Sequence, residues 1–338
     1  MNREPLLDNA KFLLIFLVVF GHVIQPFKSD LKSVEVLYHW IYLFHMPAFI
    51  VLSGFFAKGF LDKGYLKKLA KKLLLPYLIF HIFYTLYYLL IGVSGWQFTI
   101  LIPRWSLWFL LSLFCWHILL TVFKRFPPFI GTVLAIGIGV IVGYIDQVGH
   151  TFSLSRTIVF FPFFLIGYWI THDSLIKLRT NKIRAFSLMT MSFVAIGIFL
   201  LPTFSSNWLL ASHSYHAIGY PVLGGAIRLG IYSLSLVMSI CFFSWIPSRQ
   251  NMFTHIGKKT IYVYLLHGIF IHFFRQSNLI KIDTILDVIG LVIISLAIVM
   301  ILSSKYIRTI AQPLIEAKAS KLKQRFEEKA NRNEPNPS

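Results

Sequence analysis

Apolar runs of membrane-spanning length recur from one end of the chain to the other, separated by short polar connectors. Their lengths and spacing predict ten helices, at about 10–27, 35–57, 73–94, 105–123, 128–145, 157–171, 185–202, 222–246, 259–275 and 284–305. Stretches this long and this poor in charge read as bilayer spans. Pro76, Pro128, Pro162 and Pro221 fall within about six residues of the expected helix starts, where a missing N–H matters least. Pro47 falls inside the second span and is expected to distort it. The reading is an all-α, polytopic membrane protein.

Sidedness follows from the basic residues. With the N-terminus placed in the cytoplasm, 25 Lys and Arg fall on inner segments and 7 on outer ones. That asymmetry is a positive-inside signal, and it brings both termini to the cytoplasmic side. Residues 1–308 are expected to form the membrane unit, and 309–338 a basic cytoplasmic tail that is partly disordered at its polar end (EKANRNEPNPS). The first apolar run has no small-residue cleavage pattern and is expected to be retained.

Composition agrees. The 338 residues are 57% hydrophobic and 13% charged, with mean hydropathy +0.70. A soluble domain of this size has too little interior for that apolar surface, so lipid is the expected solvent. The net charge of +19 belongs to membrane sidedness and anionic lipid rather than to nucleic acid. Two cysteines, Cys115 and Cys241, both in apolar runs, make neither a disulfide framework nor a thiolate metal site. No soluble catalytic module is visible, so any chemistry belongs to the membrane core.

The first span (KFLLIFLVVFGHVIQPF, 11–27) carries ionisable groups where they are costly. At about 100° per residue, His22 lies only about 20° away from Lys11 around the helix and about 16 Å further along it. Asp8, three residues before Lys11, shares that side and can pair with it. This polar stripe would connect the inner face to an imidazole deep in the span. An imidazole takes and returns a proton near neutral pH. His45, on the oppositely directed second span, falls at a similar depth beside Pro47, so the two rings could meet.

Other positions are weaker candidates. His267 lies in YVYLLHG on the ninth span, while His81, His117 and His272 read as helix-packing residues. Arg228, inside the eighth span, needs a carboxylate, carbonyls or an anionic ligand; Asp287 and Glu35 are the nearest carboxylates by depth. Arg104 and Arg156 are expected at the outer interface. The outer loop 203–221 carries Trp208, His213, Tyr215, His216 and Tyr220, a set suited to sugar stacking or to an interfacial aromatic belt. No metal site is expected. Lys58, Lys63, Lys67, Lys68, Lys71 and Lys72 set topology and could also attract a polyanionic cytoplasmic donor.

Several segments resemble, in order, those of the acyltransferase-3 family of multi-pass membrane O-acyltransferases. LLDNAKFLLIFLVVFGH resembles its opening motif, with Lys11 in place of the more usual arginine ahead of His22. FHMPAFIVLSGFF (44–56), SLWFLLSLF (106–114), RTIVFFPFFLIGYWI (156–170) and GKKTIYVYLLHG (257–268) are similar to its later elements, and the fucose O-acetylase-like branch is the most similar. The resemblance implies transfer of an acyl group, usually acetyl, from cytoplasmic acyl-CoA to a hydroxyl of a cell-envelope glycan or lipid-linked sugar. It implies a bacterial plasma-membrane enzyme with no permanently bound cofactor. His22 would be the central base or acyl carrier, Lys11 part of the donor site or charge network, and His45 a second catalytic residue. Asp8, Arg228, His267 and Trp108 would bind substrate. Some relatives append an extracytoplasmic hydrolase-like domain; none is expected here, so a smaller acceptor is as open as a polymer. The rival reading is an exporter of a lipid-linked or small sugar, with His22, His45 and Arg228 lining a path. Such transporters often show paired broken spans, and none are visible here.

Overall fold

A backbone in lipid must satisfy its own N–H and C=O groups, and a helix does so within one segment. The computed structural model describes residues 5–58, 64–93, 102–149, 151–277 and 279–316, and among them helices are the only regular elements. The longer ones are α1 Pro5–Ile24, α2 Lys32–Phe56, α3 Tyr65–Leu90, α4 Trp108–Phe123, α5 Pro128–Ile141, α6 Leu154–Trp169, α7 Asn181–Leu200, α8 Gly224–Trp245, α9 Thr260–Ser277, α10 Ile285–Leu302 and α11 Lys305–Glu316. Eight of these, with their short 3-10 extensions, are long and apolar enough to cross a membrane: α1 to α4, α6 to α8 and α10. Helix α5 is shorter and α9 more polar, and they occupy the other two predicted spans. The chain is an all-α polytopic membrane protein.

Several helices begin before their apolar runs do. Helix α3 starts at Tyr65, so Pro76 lies well inside it rather than near its start. Its first turns carry Lys67, Lys68, Lys71 and Lys72, all exposed. Lysine is a good helix former, so a hydropathy reading trims turns that the backbone keeps. Pro162 likewise falls inside α6. Pro47 does not interrupt α2, which is helical from Lys32 to Phe56. Lys63 and residues 317–338 of the expected tail lie outside the described residues. Helix α11 crosses residue 308, the expected edge of the membrane unit. It buries Ala311 and Ile315, one turn apart, and the Tyr262 hydroxyl of α9 donates to Glu316 Oε1 at 2.6 Å.

The centre of the bundle is α2, packed against α1, α6, α7 and α8. Glycine permits its closest crossing. A Cβ at Gly54 would collide with the Phe164 carbonyl, and one at Gly167 with the Val51 carbonyl, so α2 and α6 approach backbone to backbone. On its other side α1 packs against α2, α9 and α10. Its buried face includes Ile15, Val18 and Val19. This wedge between α2 and α9 is what gathers the histidines.

Candidate active site

Helix α1 begins about five residues earlier than its apolar pattern suggests and its α-helical part ends at Ile24, so His22 lies in its last turn. The His22 ring meets side chains from three other elements. Its Nδ1 and the Tyr42 hydroxyl of α2 are hydrogen-bonded at 3.3 Å. The Trp105 ring, just before α4, lies 4.4 Å away and the His267 ring of α9 lies 5.6 Å away, centroid to centroid. Trp105 also packs on His267 at 4.9 Å and on His272 at 4.7 Å. Tyr88 of α3 closes the group through a 2.8 Å hydrogen bond to His272 Nε2.

His267 is wholly buried, and its Nδ1 donates to the Tyr264 carbonyl at 2.7 Å and the Val263 carbonyl at 3.1 Å. That bonding fixes the tautomer and leaves Nε2 as a lone pair, which has no partner. His45 is held similarly, with Nδ1 donating to the Ile41 carbonyl at 2.9 Å. It does not stack on His22; its ring packs on Tyr42 at 4.6 Å, so Tyr42 stands between the two. His45, His267 and His272 are buried, whereas His22 is half-buried. The exposed edge of the cluster is therefore the His22 imidazole.

Arg275 fixes the end of α1. Its guanidinium donates to the His22 carbonyl at 3.2 Å and to Gln25 Oε1 at 2.8 Å, and lies 5.8 Å from the Trp105 ring. Trp105 has φ 42°, a left-handed conformation that side-chain-bearing residues avoid at a cost of about 1–3 kcal/mol. The packing that enforces this conformation aims the indole between three imidazoles. Gly268 makes room for it, since a Cβ there would lie 2.7 Å from the indole and 2.5 Å from the Tyr84 hydroxyl.

Lys11 and Asp8 form the expected ion pair, at 2.6 Å, with the Lys11 ammonium 4.8 Å from the Phe56 ring. The polar stripe linking them to His22 does not form. Ile15 and Val18 occupy the same helix face between them, both buried in apolar packing. Lys11 and Asp8 thus sit at one end of α1 and His22 at the other. Nearby, Lys58 is tied to the Ile170 carbonyl and packs on Phe55 at 4.5 Å, and burial lowers its ammonium from the ordinary lysine value.

Arg228 is buried but pairs with neither Asp287 nor Glu35. It donates to the Trp208 carbonyl at 2.8 Å and packs over that indole at 5.5 Å. Asp287 caps the start of α10, and Glu35 pairs with Lys32 at 3.0 Å. A small cavity of about 10 Å³ lies between Arg228 and Tyr42, so the arginine approaches the site from behind Tyr42. Trp108 stacks on Phe160 at 5.6 Å with Arg156 over its ring at 5.2 Å; the indole that reaches His22 is Trp105. Arg104, expected at the interface, is buried and donates to Thr85 Oγ1 at 3.2 Å, and burial lowers it from the ordinary arginine value.

Two of the outer-loop aromatics are not available for stacking on a ligand. Trp208 and Tyr215 are buried and stack on each other at 5.5 Å. His216 lies 3.9 Å from the Asp146 carboxylate, far along the sequence, and Ser214 donates to the same aspartate.

Sequence reasoning missed Tyr42, Trp105, His272 and Arg275. The argument that singled out Arg228, a guanidinium inside a span, applies equally to Arg275 near the end of α9. Tyr42 lies three residues before His45 and so near its helix face. Nothing in RWSLW distinguishes Trp105 from Trp108, because the difference is a backbone angle.

A family model described as an acyltransferase domain matches residues 5–304. Nodulation protein NolL of Sinorhizobium fredii (strain NBRC 101917 / NGR234) is 24% identical over 310 residues, which cover 85% of this chain and 82% of that protein. Nodulation protein NolL of Mesorhizobium japonicum (strain LMG 29417 / CECT 9101 / MAFF 303099) is 37% identical over 84 residues, covering 23% of this chain and 22% of that protein. No solved structure matches. The family match runs from the first turn of α1 to just past the end of α10 and so takes in every helix that builds the histidine cluster; the chain belongs to the acyltransferase-3 family and is a multi-pass membrane O-acyltransferase.

Proposed function

We propose that the enzyme transfers an acetyl group from cytoplasmic acetyl-CoA to a hydroxyl of a cell-envelope glycan or lipid-linked sugar, with His22 as the general base. The observation that carries this reading is the partly accessible His22, packed by the rings of Trp105 and His267, in a cluster whose other histidines are buried. A base must be reachable by the proton it removes, and of the clustered histidines this one has surface to offer. The Tyr42 hydrogen bond and the anchoring of the His22 backbone by Arg275 hold the ring in place.

In the reaction, the acceptor hydroxyl attacks the thioester carbonyl carbon while His22 takes its proton. The new C–O bond forms, the C–S bond breaks, and the proton passes from the imidazolium to the departing CoA sulfur. Charge developing on the carbonyl oxygen needs a donor. Tyr42 is the hydroxyl closest to hand, at 3.3 Å from the His22 ring. Lys11 and the exposed lysines at the start of α3 put positive charge at the end of the bundle assigned to the cytoplasm, where the phosphates of CoA would arrive.

The test is label transfer from radioactive acetyl-CoA by the purified protein. Wild type should yield labelled glycan, and His22→Ala should fall to near background with its folding intact. Sugar movement across vesicles without acetyl-CoA consumption would replace this reading with the exporter.

A further inference from the structure

A second feature of the structure is a cleft whose lining does not include the histidine cluster. A cleft of about 810 Å³ lies where the segment after α1 meets the start of α2 and residues 203–207 of the outer loop. Its volume falls within the range of small-ligand sites, about 300–1,000 Å³. The positive-inside count puts it on the outer side of the membrane.

The lining is built for hydroxyl groups. Glu35, ion-paired with Lys32 at 3.0 Å, offers a carboxylate as acceptor. Lys28 donates to Ser206 Oγ at 3.0 Å across the cleft, joining the α1–α2 connector to the outer loop. Phe204 supplies an aromatic ring, packed 4.5 Å from the His39 ring. His39 is the informative member. It is 3% exposed, its Nδ1 donates to the Glu35 carbonyl at 2.9 Å, and its Nε2 is buried without a hydrogen-bond partner. A buried imidazole nitrogen left unpaired costs free energy unless a ligand completes it.

The cleft is also lined by α2, the helix that carries Tyr42. Tyr42 follows His39 by three residues on α2, and seven residues separate Glu35 from Tyr42, a rise of about 10 Å. Tyr38 stacks on Tyr42 at 4.0 Å and carries Lys28 over its own ring at 5.4 Å. Tyr42 then reaches His22. One helix face thus runs from the cleft to the base.

We infer that this cleft is the acceptor subsite and that it binds a sugar, with Glu35 and His39 accepting ring hydroxyls, Phe204 stacking on the sugar's apolar face, and Lys28 and Ser206 holding the cleft wall. The inference rests on the acyl-transfer reading of His22. A carboxylate, an aromatic ring and an imidazole acceptor suit a polyhydroxylated ring, and with Lys32 paired to Glu35 the remaining cation, Lys28, is the group a phosphate would need.

The test has two independent readouts on the full-length protein in nanodiscs, with a delipidated glycan pool released from the host envelope as probe. The first is acetyl transfer from labelled acetyl-CoA as the glycan is titrated. Glu35→Gln and His39→Ala should each raise the glycan concentration for half-maximal transfer about tenfold or more. The half-saturating acetyl-CoA concentration should stay within about twofold. Transfer with unchanged glycan dependence would overturn the inference while leaving the proposed reaction standing. The second is protection of a Ser205→Cys reporter on the cleft rim, in a Cys115→Ala/Cys241→Ala background, against an impermeant maleimide. The glycan pool should slow labelling severalfold with no acetyl-CoA present, so this readout survives if the transfer reading fails. Labelling unaffected by glycan would sink the assignment. So would protection by inorganic phosphate that depends on Lys28, which would make the cleft a phosphate-headgroup site.

Discussion

Adding one methyl group next to Trp105 tests whether the ring cluster works as a positioned unit. Gly268 lies on α9, one residue after His267. In Gly268→Ala the new Cβ would stand 2.7 Å from the Trp105 indole and 2.5 Å from the Tyr84 hydroxyl. Carbon atoms pack at about 3.5–4.0 Å, so one or both neighbours must retreat by about 1 Å. Tyr84 is buried and its hydroxyl donates to the Leu265 carbonyl at 2.7 Å, so it is held in place. Trp105 is half-buried and already strained at φ 42°, so it is the group that should give way. Its displacement would disturb His22, His267 and His272 together. Misplacement of reacting groups by about 1 Å costs about 100-fold in rate, whereas overpacking of this kind costs about 1–3 kcal/mol of stability. The assay is single-turnover acetyl transfer from labelled acetyl-CoA in detergent, run beside thermal unfolding of the same preparations. The expected result is a folded protein with transfer reduced about 100-fold, and Trp105→Leu, which removes the indole itself, should be similarly impaired. A Gly268→Ala enzyme at the wild-type rate would refute the claim that the indole positions the imidazoles.

Two other predictions concern the far end of α1 and the start of α3. Lys11→Ala leaves the buried Asp8 carboxylate without its 2.6 Å partner and should lower stability by about 3–5 kcal/mol, as for a broken buried pair, with Asp8→Asn/Lys11→Met recovering most of it. Thermal unfolding in detergent would decide this, and a Lys11→Ala protein as stable as wild type would show that the aspartate does not need the lysine. Replacing Lys67, Lys68, Lys71 and Lys72 by Gln should raise the KM for acetyl-CoA more at low than at high ionic strength, because all four side chains face solvent and are screened by salt. An unchanged KM at low salt would remove them from donor capture.

The sequence by itself determined the fold class and pointed to two members of the ring cluster, His22 and His267. Apolar runs of spanning length admit little but helices, because lipid offers backbone groups no alternative partner. His22 and the Asp8–Lys11 pair were legible because the cost of charge and polarity in a bilayer makes such residues stand out from any apolar background. Helix starts were less legible, since the lysines opening α3 are both polar and helix-forming. What only the tertiary structure decided is which polar groups meet. Ile15 and Val18 break the expected stripe because a shared helix face is not a continuous polar path when its middle positions are apolar. Arg228 found a carbonyl rather than a carboxylate, and Trp208 and Tyr215 turned inward, because depth and composition do not specify partners. Trp105 rather than Trp108 joined the imidazoles because packing at Gly268 and around the start of α4 holds one backbone angle in a region that local sequence does not select. Hydropathy is a property of each segment alone; the site is a property of four helices and one connector packed together, and it is set by the crossings that glycine permits and the carbonyls that accept hydrogen bonds from the ring and guanidinium N–H groups.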